Sequence, residues 1–280
     1  MSVQIIVDSS VDVAERFRER LHIVPLIIHF GEEELIDGVT INKEQFYRRL
    51  VESEQLPFTS QASPVAFQKV YEEVTQAGDS AVVITLASKL SGTYQSACIA
   101  AGDFDNIYVV DSQTAAIGAG VLTEYALARA EAGIGARELA SELEQKREDV
   151  CLVALLDTLE YLKRGGRISK TAALAGGLLN IKPMITVRDG EVVLIGKARG
   201  SKQGNSLLVE KIRTCGGIDF DLPILLGYSG LSGESLETYV EYSHDVWERG
   251  TEILDKTCIS GVIGTHTGPG VVAAAFFRKH

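Results

Sequence analysis

The chain has 280 residues, too many for one ordinary core and few for three, so two domains are expected. Its 45% hydrophobic and 23% charged content, with only 6 prolines, excludes collagen-like, disordered and low-complexity classes. Lys and Arg total 27 against 38 Asp and Glu; the resulting charge of −11 repels a phosphate backbone and excludes nucleic acid as an expected partner.

The N-terminal segment MSVQIIVDSS carries Asp8 and has neither a basic start nor a signal-length apolar core, so the chain is expected to stay in the cytoplasm. Short β-rich runs then recur at 4–7, 22–30, 81–86, 106–110, 151–156, 222–228 and 258–264. Between them, 43–54, 64–77, 93–101, 122–132 and 136–148 carry helical spacing, with Pro64 suited to a first turn. Strands alternating with helices predict an α/β fold with a mainly parallel sheet. After residue 180 the texture changes: 182–200 reads as two strands about Asp189-Gly190, a hairpin signal that gives the second half a mixed sheet. The uncharged stretch 171–180 fits either a core helix or one wall of an apolar cavity, and 242–248 reads as helical. A boundary in the charged segment 142–149 divides the chain into residues 1–149 and 150–280. The apolar runs 151–156 and 271–277 are far too short to span a bilayer.

Chemistry gathers where strands end. Ser9 and Ser10, Ser88, Ser91 and Thr93, Ser112 and Thr114, and Ser229 all follow β-rich runs. They fit helix N-caps, or an anion site at the carboxyl ends of the strands. Three clusters, TSQASP (59–64), SKLSGT (88–93) and THTGPG (265–270), each read as a turn leading into a helix, and His266 is the one histidine in so specialised a loop. His22, His29, His244 and His280 receive no role. Two basic groups, 163–170 and 196–202, stand out against the acidic whole and suggest anion recognition. Arg164 and Lys202 read as solubilising charges, whereas Arg167, directly after two glycines, reads as a ligand. The four cysteines, Cys98, Cys151, Cys215 and Cys258, are scattered with no C-x-x-C pair and no zinc spacing, so reduced thiols and no metal are expected. No dinucleotide, P-loop, zincin, EF-hand or G-x-S-x-G signature occurs; in KLSGT the first glycine of a nucleophile elbow is replaced by Lys89.

Taken in order, IVDSSVDV (6–13), TSQASP, SKLSGTYQSA (88–97), VVDSQTAAIGAG (109–120), LKRGGRISK (162–170), K-A-R-G (197–200) and HTGPG (266–270) resemble the DegV family of bacterial fatty-acid-binding proteins, the binding subunits of fatty acid kinase. The resemblance implies a two-domain α/β protein that encloses one long-chain fatty acid such as hexadecanoate, with no cofactor and no catalytic residue of its own. It implies that Thr59 and Ser91 bind the carboxylate, and that Ser60, Gly92, Thr93, Arg167, Arg199 and His266 lie near the head group or face the kinase. The implied partners are a separate ATP-dependent kinase subunit, which forms the acyl phosphate, and acyl-phosphate acyltransferases of phospholipid synthesis. The sequence departs from the family's T-S-Q-P-S pattern at Ala62, with proline only at Pro64, which predicts a differently curved loop. Hydroxyl donors suit a carboxylate that must be held without a permanent counter-charge. The competing readings are a small-substrate phosphotransferase domain similar to the dihydroxyacetone kinase substrate subunit, with His266 holding a polar substrate, and a lipid-sensing regulatory module.

Overall fold

The computed structural model describes residues 2–168, 180–252 and 254–279. Strand β1 (Val3–Asp8) is buried from Ile5 onward, the pattern of a parallel strand covered on both faces. It pairs in parallel with β2 (His22–Val24) and β6 (Ser80–Thr85), and β6 with β7 (Ile107–Asp111), giving the order β2-β1-β6-β7. The run 22–30, expected as one strand, is two. Pro25 has no N–H to offer a ladder, and beyond it β3 (Ile27–Phe30) joins β4 (Glu33–Ile36) and β5 (Phe58–Ser60) in a separate antiparallel sheet.

The helices of this half are α1 (Glu15–Arg18), α2 (Lys43–Glu52), α3 (Pro64–Gln76), α4 (Thr93–Ala101), α5 (Ile117–Glu131) and α6 (Ala136–Lys146). A reciprocal capping box between Asn42 and Gln45 starts α2, and Ser63 caps α3 with Pro64 in its first turn. The longest expected miss is at α5, which begins at Ile117 and not at Leu122. Its first two turns are Gly- and Ala-rich because α5 is wedged between sheets, touching β1 and β6 on one side and strands of the second sheet on the other. A Cβ on Gly120 would lie 1.9 Å from the Asp12 carbonyl oxygen, so no larger residue permits this approach.

The second sheet is mixed. It takes β8 (Val150–Leu155), β9 (Ile181–Arg188), β10 (Glu191–Arg199), β11 (Ile224–Tyr228), β12 (Asp255–Cys258) and β13 (Val272–Phe277) in the order β10-β9-β8-β13-β11-β12. The β9–β10 hairpin turns at Asp189-Gly190, where φ is 50° and 77°, the left-handed geometry that dipeptide favours. Helices α7 (Glu160–Arg164), α8 (Gly200–Thr214), α9 (Glu234–Tyr242) and α10 (Gly261–Thr267) complete the described elements.

Two expected elements change here, the strand at 258–264 and the helix at 242–248. The run 258–264 is the end of β12 and the start of α10, because glycines at 261 and 264 fit helix packing better than a ladder. The apolar run 271–277 is the wholly buried strand β13. The basic group at 196–202 ends β10, as the hairpin reading expects, and opens α8; of the stretch 242–248 read as helical only Tyr242 belongs to α9, and a 3-10 turn at His244–Val246 follows. The segment 171–179, weighed as core helix or cavity wall, lies outside the described residues, as do Ser169 and Lys170.

Helix α10 carries the decisive crossover. It follows β12 of the second sheet yet packs on α2 and β3 of the first half. Its glycines make the contact: a Cβ on Gly261 would lie 2.9 Å from the Phe46 ring, and one on Gly264 2.6 Å from the Tyr47 hydroxyl. The Tyr47 hydroxyl donates to the Ile259 carbonyl at 3.1 Å. Ahead of the helix, the Ser260 N–H donates to both carboxylate oxygens of Asp12, at 2.9 and 3.1 Å, and the Lys43 ammonium bonds the same carboxylate at 3.0 Å. Burial alone lowers the pKa of Lys43, but the charge and hydrogen bond of Asp12 more than reverse this, so the Lys43 ammonium stays charged.

Candidate functional site

The docking of α10 delivers His266 to Thr59. Thr59 is the middle residue of β5, registered against Ile28 of β3, and its hydroxyl lies 2.9 Å from His266 Nε2. The other ring nitrogen, Nδ1, is buried without a partner and faces Gly165, where a Cβ would stand 2.3 Å away. Glycine at the end of α7 therefore makes room for the imidazole. His266 is held neutral, its pKa pushed down to about 4 by burial first and by the Arg167 charge second. The tautomer sets the direction of this bond: with the single proton on Nε2, the Thr59 oxygen accepts it and the Thr59 hydroxyl hydrogen is left to serve a ligand.

Arg167 is fixed by two carbonyls: Nε donates to Leu90 at 3.2 Å and Nη1 to Gly165 at 2.5 Å. Its remaining N–H donors are not used by these bonds. Next to Leu90, the Ser91 hydroxyl lies 2.9 Å from that of Thr93 and accepts the Thr93 N–H at 3.3 Å. The T-S-Q and S-G-T turns interlock, because Gln61 donates to Ser96 at 2.9 Å and crosses Gly92, where a Cβ would fall 2.0 Å from the amide oxygen. Ala62 is buried in this turn.

These groups border one cavity of about 350 Å³. Thr59, Ser60, Ser91, Gly92, Arg167 and His266 all line it. Apart from Gln61 and Thr267, the rest of the wall is aliphatic, drawn largely from α5, β8, β9, β10 and β13; Ile117, Leu152, Ala154, Ile185, Val192 and Ala273 represent them. A few convergent polar groups in an otherwise greasy cavity is the composition of a site for an amphiphile. Thr93 is fully buried and supports Ser91 without lining the cavity. Arg199 is not brought to it: it is exposed at the end of β10, where its N–H donates to Gln203. Arg167 places a guanidinium beside the hydroxyls, where the sequence expects it near the head group.

Other marked residues hold loops. Ser10 donates to Asp8, Ser9 accepts the Leu26 N–H at 3.1 Å, and Ser112 donates to the Thr114 carbonyl at 3.2 Å. Ser229 donates to the Gly268 carbonyl at 2.7 Å and accepts the Val271 N–H at 2.9 Å. These hydroxyls neither cap helices nor reach the cavity. The THTGPG cluster ends α10 and enters β13 instead of starting a helix, since Gly268 and Gly270 take positive φ. Arg164 pairs with Glu160 one turn away on the exposed face of α7, and Lys202 is exposed on α8. His29, given no role from sequence, bonds the Ser60 hydroxyl at 2.8 Å and stacks on Phe58. Asp12, Lys43 and Ser260 went unnoticed as a set because they come from three distant parts of the chain. Among the described residues no cluster of His, Cys, Asp and Glu is arranged to hold a metal, and no helix is long and apolar enough to cross a membrane.

The model of the family described as "Uncharacterised protein, DegV family" matches residues 2–279. A DegV domain-containing protein of Caldanaerobacter subterraneus subsp. tengcongensis is 35% identical over 281 residues, covering 99% of each chain. Among solved structures, a fatty-acid-binding DegV family protein from Thermus thermophilus superimposes with a TM-score of 0.87 at 30% identity over 99% of this chain and 100% of that one. A DegV lipid-binding protein from Thermotoga maritima gives a TM-score of 0.87 at 28% identity over the whole of both chains. From the matched family, the shared fold and the motifs that meet at one cavity, the chain belongs to the DegV family.

Proposed function

We propose that this protein binds one long-chain fatty acid in the cavity and presents its carboxylate to a separate ATP-dependent kinase, which forms the acyl phosphate used by acyltransferases of phospholipid synthesis. In this reading residues 1–149 supply the carboxylate-binding loops and 150–280 most of the acyl wall, and the protein is a cytoplasmic carrier without catalytic residues. The observation that carries the binding is the meeting of the Thr59 and Ser91 hydroxyls at an aliphatic cavity of about 350 Å³. Each buried methylene contributes about 0.8 kcal/mol, so a tail of ~14 methylenes contributes on the order of 11 kcal/mol before entropic costs. The head group sets direction: a carboxylate in this site costs several kcal/mol unless it finds donors, and the Thr59 and Ser91 hydroxyls are such donors. The binding of fatty acid by the Thermus thermophilus relative, which shares the fold at 30% identity, supports the same reading.

The presenting role draws its support from the ordered motifs and from the pairing of Arg167 with His266 beside the head group. A guanidinium is suited to the charge that grows when a carboxylate becomes an acyl phosphate. A neutral imidazole keeps the Thr59 hydroxyl aimed without adding a second fixed charge. The test uses delipidated protein reloaded with fatty acid, with ATP and a fatty acid kinase subunit. Wild type is expected to yield acyl phosphate, while Arg167→Ala and His266→Ala retain lipid and yield at least about tenfold less. Loss of lipid with undiminished turnover per bound lipid would reverse these roles.

A further inference from the structure

Cys151 and Cys215 share no motif, yet the fold brings them together. Strand β8 alternates: Leu152 and Ala154 face the cavity, whereas Cys151 and Val153 face a groove on the other side of the sheet. Cys215 ends α8, the helix that packs on β8, β9 and β10, and it lines the same groove. Cys151 and Cys215 are neighbours on this groove and each shifts the other's titration, and the Cys215 thiol donates to the Ile212 carbonyl at 3.0 Å. The groove is open, about 710 Å³ in volume, and bordered by Arg147, Arg188, Lys211 and Arg278 within a strongly acidic protein. Both cysteines are partly exposed, so a small oxidant reaches them.

We propose that Cys151 and Cys215 form a peroxide-responsive dithiol, closing reversibly to a disulfide that ties α8 to the back of the cavity wall. Cys215, the less deeply buried of the two and neighboured by Arg278 on the groove, is the attacking sulfur. Its pKa is lowered, first by the hydrogen bond with Cys151, with Arg278 adding a further favourable charge, whereas that of Cys151 is raised. The Cys215 thiolate attacks one oxygen of hydrogen peroxide; the O–O bond breaks, hydroxide leaves and takes a proton, and a sulfenic acid remains. The Cys151 sulfur then displaces the sulfenic hydroxyl as water, its own proton leaving with it. Two thiols and one peroxide give one disulfide and two waters, the two electrons passing from sulfur to peroxide. Cys98 and Cys258 neighbour tyrosines and not a second thiol, so they serve as internal controls.

The test is peroxide titration of the purified full chain, read by thiol counting in denaturant and by tryptic mass mapping without reductant. Wild type is expected to lose two of its four thiols and to yield one cross-linked peptide containing Cys151 and Cys215, both reversed by dithiothreitol. The oxidised protein should melt roughly 5–10 °C higher than the reduced one, because the bond closes a long loop. Cys98→Ser with Cys258→Ser should keep the reaction, and Cys215→Ser should abolish the cross-link. Survival of all four thiols under peroxide that fully oxidises free dithiothreitol, irreversible oxidation at Cys215 without the cross-link, or disulfides between molecules would each overturn the assignment.

Discussion

Residue by residue, the proposed fatty-acid binding falls to the Thr59 and Ser91 hydroxyls. Each hydroxyl bond to a carboxylate is worth about 1.5–3 kcal/mol, so Thr59→Ala with Ser91→Ala is expected to weaken fatty-acid binding roughly 10²- to 10⁴-fold. Circular dichroism should be unchanged, and undiminished affinity of the double variant would remove both residues from the site. Glu124 gives a pH prediction. Burial pushes its carboxyl up to about 7, although it accepts the Ala14 N–H at 2.8 Å. An unfolded glutamate titrates near 4.3, so the unfolded chain ionises first and stability falls as pH rises from there through about 7. Glu124→Gln keeps an acceptor for Ala14 and should be more stable than wild type by about 2–3 kcal/mol at pH 8, with little difference at pH 4. Equal differences at both pH values, measured by urea unfolding, would contradict this. That Thr59 and Ser91 meet at one cavity was expected from the motifs that carry the family resemblance, each a short contiguous turn whose neighbours also shape the loop. The Asp12, Lys43 and Ser260 set was not, since nothing local in any of the three segments announces the other two.

At the scale of elements, α10 joins fold to chemistry. Its Gly261 and Gly264 are the surface that meets Phe46 and Tyr47, and its last turn holds His266 against Thr59. Gly264→Val places branched carbon where 2.6 Å separates even a Cβ from the Tyr47 hydroxyl. Overpacking of this kind costs about 1–3 kcal/mol, so the melting temperature should fall by several degrees and fatty-acid affinity with it. An unchanged melting temperature would mean that the helix is not seated as described. The sequence pattern misread this element as strand, because two glycines with Val262 and Ile263 look like a short apolar β run. Glycines that exist for close approach carry no periodic signal. The hairpin at Asp189-Gly190 was the opposite case: its turn chemistry is local, and it was legible as such.

At the scale of the whole molecule, the parallel first sheet and mixed second sheet follow from patterns that composition and alternation express directly. The separate small sheet does not, since β4 and β5 are short and their pairing depends on β3 leaving at Pro25. What no single segment encodes is the cavity, which needs α5, α10 and the second sheet around it at once. An aliphatic wall favours a fatty acid over the small polar substrate of the phosphotransferase reading. The most direct measurement is mass spectrometry of the purified protein, intact under native conditions and again after organic extraction. The account predicts one long-chain fatty acid per chain, lost together with binding capacity in the Thr59→Ala, Ser91→Ala variant. A wild-type protein that neither carries such a molecule nor takes one up after delipidation, or that yields only polar ligands, would contradict it.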